Sequence, residues 1–148
     1  MFTRILIPTD GSDVVTPAIR TALDIADKYD ATLHALFIVD PPSSVASAGD
    51  GFTGVDNLLA ELEDEGHSAT TTIADQATDA GIETTTAVQR GNPHDDILTY
   101  AADHDIDLIV MGTHGRTGVK RALLGSVTED VVRHAEIPVL TVHQAPDE

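Results

Sequence analysis

The stretch of sequence that most constrains the fold covers residues 108–126. It begins with the apolar run Leu-Ile-Val-Met at residues 108–111, which is typical of a buried parallel strand. A glycine-rich loop follows this run, and a helical pattern begins at Ser126. Such a loop is where α/β proteins place phosphates, because free backbone N–H groups and the helix dipole both favour an anion.

The charges of this stretch differ from those of the rest of the chain. The formal net charge is −17, yet residues 108–128 contain no Asp or Glu and do contain Arg116, Lys120 and Arg121. A cationic, acid-free loop at a helix start favours a polyphosphate ligand. For Lys120 and Arg121, a contact with phosphates and a position in solvent are equally good interpretations.

Two structural interpretations of the same stretch stay open. Residues 126–129, Ser-Val-Thr-Glu, fit the capping-box pattern, so Ser126 could serve only to cap the helix. The glycines could serve only to shape a turn. Neither interpretation needs a ligand.

The overall charge and composition exclude several classes of protein. A net charge of −17 opposes a general role in nucleic-acid binding, and 3% aromatic residues are too few for a base-stacking surface. Lysine occurs only as Lys28 and Lys120 in this Asp-rich sequence. That balance favours a protein from cells with molar internal salt, where the Debye length is about 3 Å and self-repulsion is screened. An ordinary acidic protein is the alternative.

The remaining global features indicate one soluble domain. The 148 residues suit a single domain with its own core, and the absence of cysteine excludes disulfides and thiolate metal sites. We expect a cytoplasmic protein. Met1 leads directly into a predicted strand without a signal-peptide pattern, and no apolar run approaches the roughly 20 residues of a membrane helix.

Strand and helix patterns alternate along the whole chain, which implies parallel pairing with right-handed crossovers. Gly66 lowers the expectation of an unbroken second helix, whereas Asn92-Pro93 is typical of an N-cap and a first helical residue. Residues 40–54 form a long Pro-, Ser- and Gly-rich segment, which predicts a functional or mobile loop. The predicted strands cover residues 2–8, 31–39, 82–89, 107–111 and 138–142, and the helices cover residues 14–29, 55–80, 93–103 and 126–134.

The glycine spacing Gly112-x2-Gly115-x9-Gly125-Ser126 resembles the nucleotide-binding pattern of the universal stress protein family, in particular its ATP-binding branch. Residues 5–12 resemble the first strand and turn of that family, and residues 138–142 resemble its last strand. The resemblance extends over nearly the whole chain and implies a single domain over residues 1–148. It implies one three-layer, Rossmann-like α/β domain of the adenine nucleotide alpha hydrolase type, with a five-stranded parallel sheet of order 3-2-1-4-5.

The resemblance also implies a site for ATP with Mg²⁺, at the switch point where the carboxyl ends of strands one and four are neighbours. Asp10 has an alternative role as a turn residue that caps local N–H groups. The implied adenosine contacts are Pro8, Thr9 and Asp10, with Ile38 near the base. The implied contacts of the ribose and first phosphate are Met111, Gly112, His114 and Gly115. The implied contacts of the distal phosphates are Gly125, Ser126, Val127 and Thr128, and Arg116 is a further candidate.

We therefore expect an ATP-binding stress-response or regulatory protein. The alternatives are a slow ATPase or autophosphorylating enzyme, and a nucleotide-free interaction module. No catalytic residue and no protein metal ligand is predicted, because the P-loop, G-x-G-x-x-G and G-x-S-x-G patterns are absent and Asp103-x-Asp105-x-Asp107 lacks the glycine and glutamate of a calcium loop. The resemblance further implies a homodimer that pairs through strand five, at Val139, Leu140, Thr141 and Val142.

Overall fold

The chain folds around one five-stranded sheet flanked by helices. The computed structural model describes residues 2–40, 53–113 and 125–143. A short 3₁₀ helix, Asp13–Val15, precedes the first α-helix. The strands are β1 (Arg4–Pro8), β2 (Thr32–Val39), β3 (Thr84–Arg90), β4 (Leu108–Gly112) and β5 (Val139–Val142), and the helices are α1 (Thr16–Tyr29), α2 (Thr53–Asp79), α3 (Pro93–Asp103) and α4 (Ser126–His134).

The sheet has the order β3-β2-β1-β4-β5, and every pair of neighbouring strands is parallel. The predicted fold class and strand order are confirmed. β1 is central, with Ile5 beside Leu33 on one side and Leu108 on the other. Central parallel strands are buried on both faces, which explains the continuous apolar runs in β1, β2 and β4.

Alternate side chains of β1 enter two separate cores. Ile5 and Ile7 pack with α1 and α2, and Leu6 packs with α3 and α4. The buried face of α1 consists of Ala18, Ala22 and Ala26, whose small side chains let this helix approach the sheet closely. The result is the predicted three-layer arrangement, with α1 and α2 on one face and α3 and α4 on the other.

Gly66 lies within a continuous helix, so the predicted second helix is unbroken although this glycine lowered the expectation of it. A Cβ atom at this position would lie 2.7 Å from Cδ1 of Phe37 and 3.0 Å from Cγ1 of Val88. Glycine in a helix interior costs about 1 kcal/mol relative to alanine. At Gly66 this cost is offset because the helix can pack directly on the aromatic ring.

The predicted element ends agree with the structure to within about two residues. α2 begins at Thr53, inside the segment predicted to be a loop, and residues 41–52 of that segment lie outside the described residues. The predicted start of α3 is confirmed, because the Asn92 side chain accepts a hydrogen bond from the Asp95 backbone N–H at 3.4 Å. Across the described ranges, every helix is too short or too polar to cross a membrane.

Candidate functional site

The carboxyl ends of β1 and β4 are neighbours in the sheet. Leu6 is paired with Ile109, and two further residues in the same register align Pro8 with Met111. Both of these residues are buried. From β1 the chain adds β2 and β3 on one side of the sheet, and it then crosses to add β4 and β5 on the other side. The gap between β1 and β4 is therefore the switch point where open α/β sheets bind ligands.

The turn after β1 is held by its own side chains. Asp10 Oδ1 accepts hydrogen bonds from the Ser12 backbone N–H at 2.9 Å and from the Ser12 hydroxyl at 2.6 Å. Thr9 Oγ1 accepts a bond from the Gly11 N–H at 3.0 Å, and Gly11 has a φ of 82°. The alternative role of Asp10 as a turn residue therefore has direct support, and the turn has a defined shape that depends on it.

The two ends of the glycine-rich loop meet at one point. The Gly125 N–H donates to the carbonyl of Thr113 at 2.6 Å, and the Thr128 hydroxyl donates to the carbonyl of Gly112 at 2.9 Å. Thr113 and Thr128 are 2% and 4% exposed. Thr113 and Gly125, the described residues on either side of this loop, therefore meet at the carboxyl end of β4, directly beside the start of α4.

The residue at the N-cap of α4 has no side chain that could cap the helix. The N-cap residue is Gly125, and the Glu129 N–H donates to its carbonyl at 2.9 Å. Ser126 is the first helical residue and is exposed, so the capping-box interpretation is wrong. An α-helix leaves its first N–H groups without an intrahelical partner. The N-cap residue of α4 is a glycine and supplies no side chain to accept from these N–H groups.

The predicted site residues fall into three groups. Those at the β1–β4 edge of the sheet are Pro8, Thr9, Asp10, Met111, Gly112, Gly125, Ser126, Val127 and Thr128. Ile38 lies one strand away, near the end of β2, half-buried against the core under α3. His114, Gly115, Arg116, Lys120 and Arg121 lie outside the described residues.

Sequence reasoning missed two residues of this edge, Thr113 and Ser12. Thr113 joins β5 to the loop, since its N–H donates to the carbonyl of Val142 at 3.3 Å and its own carbonyl receives the N–H of Gly125. A small polar residue directly after an apolar strand was the available signal. Ser12 was detectable as the partner two residues beyond Asp10 in an Asx turn.

The structure adds no metal site to this edge. Within the described ranges, no three His, Cys, Asp or Glu side chains are grouped so that they could hold a metal ion. The arrangement instead offers backbone donors and the positive end of a helix dipole. Together these features suit an anion rather than a cation.

The model of the Universal stress protein family matches residues 1–143, and the chain belongs to this family. Universal stress protein MJ0531 of Methanocaldococcus jannaschii is 38% identical over 149 residues, which cover 100% of this chain and 86% of that protein. The family assignment agrees with the glycine spacing of residues 112–126 and with the observed strand order.

Two solved structures support the same assignment. That of protein MJ0577 matches with a TM-score of 0.88 and 28% identity, and the match covers 99% of both chains. A universal stress protein solved in complex with cAMP matches with a TM-score of 0.70 and 25% identity, over 97% of this chain and 98% of that one.

Proposed function

We propose that this chain binds ATP, with Mg²⁺, at the edge formed by β1, β4 and the start of α4, and that it has a regulatory role in the stress response. The observation that carries the proposal is the start of α4 at Gly125, an N-cap residue without a capping side chain, which directly follows an acid-free, basic segment of the sequence. Such a helix start attracts phosphate groups through its N–H donors and its dipole.

The parts of the site have different roles in this proposal. The turn at residues 8–10 would contact the adenosine, and the N–H groups of Ser126 and Val127 would receive the distal phosphates. The hydroxyl hydrogen of Thr128 is directed to the carbonyl of Gly112, so this residue would contact phosphate through its backbone N–H and would position the helix through its side chain. Arg116 would supply further positive charge.

Mg²⁺ fits this site as a partner of the nucleotide rather than of the protein. Mg²⁺ commonly keeps several waters and is held largely by substrate phosphates. The described residues provide no carboxylate cluster for it. When bound, the ion would neutralise phosphate charge, and the chain itself would supply the N–H donors and the orientation of the nucleotide.

The universal stress protein solved with cAMP supports an adenine nucleotide as the ligand class. An enzymatic role has less support. Water attack on a phosphate needs a positioned general base. The carboxylate of Asp10 is bonded to Ser12 and lies at the end proposed for adenosine, so we expect weak hydrolysis at most.

The most informative test is mass spectrometry of the small molecules released when the purified protein is denatured, followed by calorimetry with Mg-ATP. ATP should be released and should bind again. Gly115→Val should abolish binding while circular dichroism shows a retained fold, and Ala102→Val, at an exposed position of α3, is the control. Release of no nucleotide, together with parent-like binding by the folded Gly115→Val protein, would contradict the proposal.

We also propose a homodimer that pairs through β5. β5 is an edge strand of the sheet, and Leu140 on it is 37% exposed. An exposed apolar edge is an aggregation hazard unless another chain covers it. Light scattering at micromolar concentration should show a dimer that Leu140→Lys dissociates, whereas Gln89→Lys on the opposite edge strand should leave it intact. A monomeric parent protein would contradict this.

The charge supports a further proposal, that the protein is adapted to high salt. With a net charge of −17, salt should screen self-repulsion and stabilise the fold. The melting temperature should therefore rise from low to molar KCl. A flat or falling trend would contradict the adaptation.

A further inference from the structure

A titratable pair joins β2 to α3 inside the apolar core. His34 Nδ1 lies 2.8 Å from the hydroxyl oxygen of Tyr100, and the two residues are 7% and 5% exposed. Tyr100 belongs to a buried apolar cluster with Leu6, Leu36 and Ile97, and His34 is paired with Leu6 in the sheet register. A histidine in such surroundings ties the attachment of α3 to its own protonation state.

A second imidazole completes the cluster. The ring of His104 stacks on the ring of Tyr100, with centroids 3.7 Å apart, and its centroid lies 5.7 Å from that of His34. His104 Nδ1 donates to the carbonyl of Tyr100 at 3.0 Å. The phenol of α3 is therefore held between the imidazole of His34 in the sheet and the imidazole of His104, the C-cap residue of α3.

The surroundings of His34 oppose a positive charge. Burial lowers the pKa of His34 below its ordinary value of 6.5, and the nearby His104 and Arg4 lower it further. Burial also raises the pKa of the Tyr100 hydroxyl, so the phenol stays neutral. The β3 neighbour of His34 is the uncharged Thr85, which supplies no compensating carboxylate.

We propose that the cluster of His34, Tyr100 and His104 is a proton-sensitive attachment, which holds α3 against the sheet near neutral pH and loosens it in acid. The sign follows from linkage. A lowered pKa in the folded state means that the contribution of His34 to stability is complete above pH 6.5. It is lost as the pH falls from there towards the folded-state pKa.

The attachment could influence the rest of the protein because α3 packs against α4. Loosening of α3 would remove part of the support under the helix that carries the proposed phosphate contacts. The attachment itself does not depend on nucleotide binding. It can therefore be measured in nucleotide-free protein, and its failure would leave the proposed function untouched.

Hydrogen exchange followed by mass spectrometry tests the attachment directly. Protection factors, corrected for intrinsic exchange, should be compared at about pH 7.5 and about pH 5.5, the range in which histidine changes charge. The protection of α3 should fall by roughly threefold or more at the lower pH, while that of α1 stays constant. Equal protection of α3 at both values would overturn the proposal.

His34→Asn is the matched variant, because an Asn side chain can keep a hydrogen-bonding atom near Tyr100 but cannot titrate. The pH dependence of α3 should disappear in this variant and should persist in His67→Asn, at an exposed position of α2. Persistence in His34→Asn would contradict the proposal.

If that variant fails to fold, nitrogen-detected NMR of the parent protein tests the proposal instead. The His34 ring should remain neutral at pH 6.5, and α3 signals should shift as it titrates; half protonation at 6.5 without such shifts would contradict the proposal.

Discussion

The starts of α3 and α4 make an instructive pair, because both helices lie on the same face of the sheet and both begin at its carboxyl edge. At α3, the side chain of Asn92 caps the helix, and Asp95 and Asp96 lie in the first turn. At α4, the N-cap is Gly125, and Glu129 is the acidic residue of the first turn, where it pairs with Arg133 at 2.7 Å.

This difference underlies the proposal that phosphate binds at the start of α4 rather than at the start of α3. Carboxylates in a first turn interact with the positive end of the helix dipole and repel another anion. The N-terminal end of α3 is therefore already capped and neutralised by side chains of its own segment. In α4, residues 125–128 contribute neither a capping side chain nor a charged side chain. Two helices with the same position in the fold are expected to differ in ligand binding because of a few side chains.

The largest expected effect comes from adding a carboxylate at the first residue of α4. Ser126→Asp puts a carboxylate where the phosphates are proposed to bind, so ATP affinity should fall by about 100-fold, or about 2.7 kcal/mol. The same carboxylate should stabilise the helix by about 0.3–1 kcal/mol. Calorimetry and thermal unfolding measure the two effects separately.

Ser126→Asn is the control, since it has nearly the same shape as Ser126→Asp without the charge. It should bind ATP within severalfold of the parent. Parent-like affinity in Ser126→Asp would remove the distinction between the two helix starts.

The next effect concerns the bond that fixes the start of α4. Thr128→Val removes the buried hydroxyl that donates to Gly112 and keeps the shape of the side chain. The free energy of unfolding should fall by about 1–2 kcal/mol, and ATP affinity should weaken by roughly tenfold. Urea unfolding and calorimetry give both values.

Thr72→Val supplies the comparison. It removes an equivalent hydroxyl bond, to the carbonyl of Ser68 at 2.9 Å, from an exposed position on α2. Both stability and affinity should change little. Equal effects of the two substitutions would mean that Thr128 has no particular role at the site.

The smallest effect is expected at α3. Asn92→Ala removes the cap and should lower the free energy of unfolding by about 1 kcal/mol, measured in urea. ATP affinity should not change, because this helix start is not the proposed site. Asn92→Asp retains a capping oxygen and should keep parent stability. A clear loss of ATP affinity in Asn92→Ala would contradict the proposal that phosphate binds at the start of α4 and not at the start of α3.

Local patterns predicted much of the fold. The predicted bounds of α4, and the N-cap and first residue of α3, agree with the structure, because glycine, proline and capping residues act on the chain near them. The order of the strands depends on distant pairing, and it was available only from the family resemblance. The predicted edge position of β5 followed from that order.

Features that depend on distant contacts could not be predicted. The glycine at position 66 is explained by the ring of Phe37, which lies 29 positions away along the sequence. The sequence around Gly66 only lowered the expectation of an unbroken helix. Thr128 was expected among the contacts of the distal phosphates, and nothing in the sequence shows that its hydroxyl bonds to the carbonyl of Gly112. The contact between His34 and Tyr100 likewise exists only once α3 lies on β2.

The most direct test of the central claim is an NMR titration of the backbone amides with Mg-ATP, at constant high KCl. We expect large, saturable shifts of the Ser126 and Val127 amide signals. The Asp95 and Asp96 amides, at the start of α3, should stay nearly unchanged. Saturable binding that leaves the α4 amides unshifted, or that shifts the α3 amides more, would contradict the account.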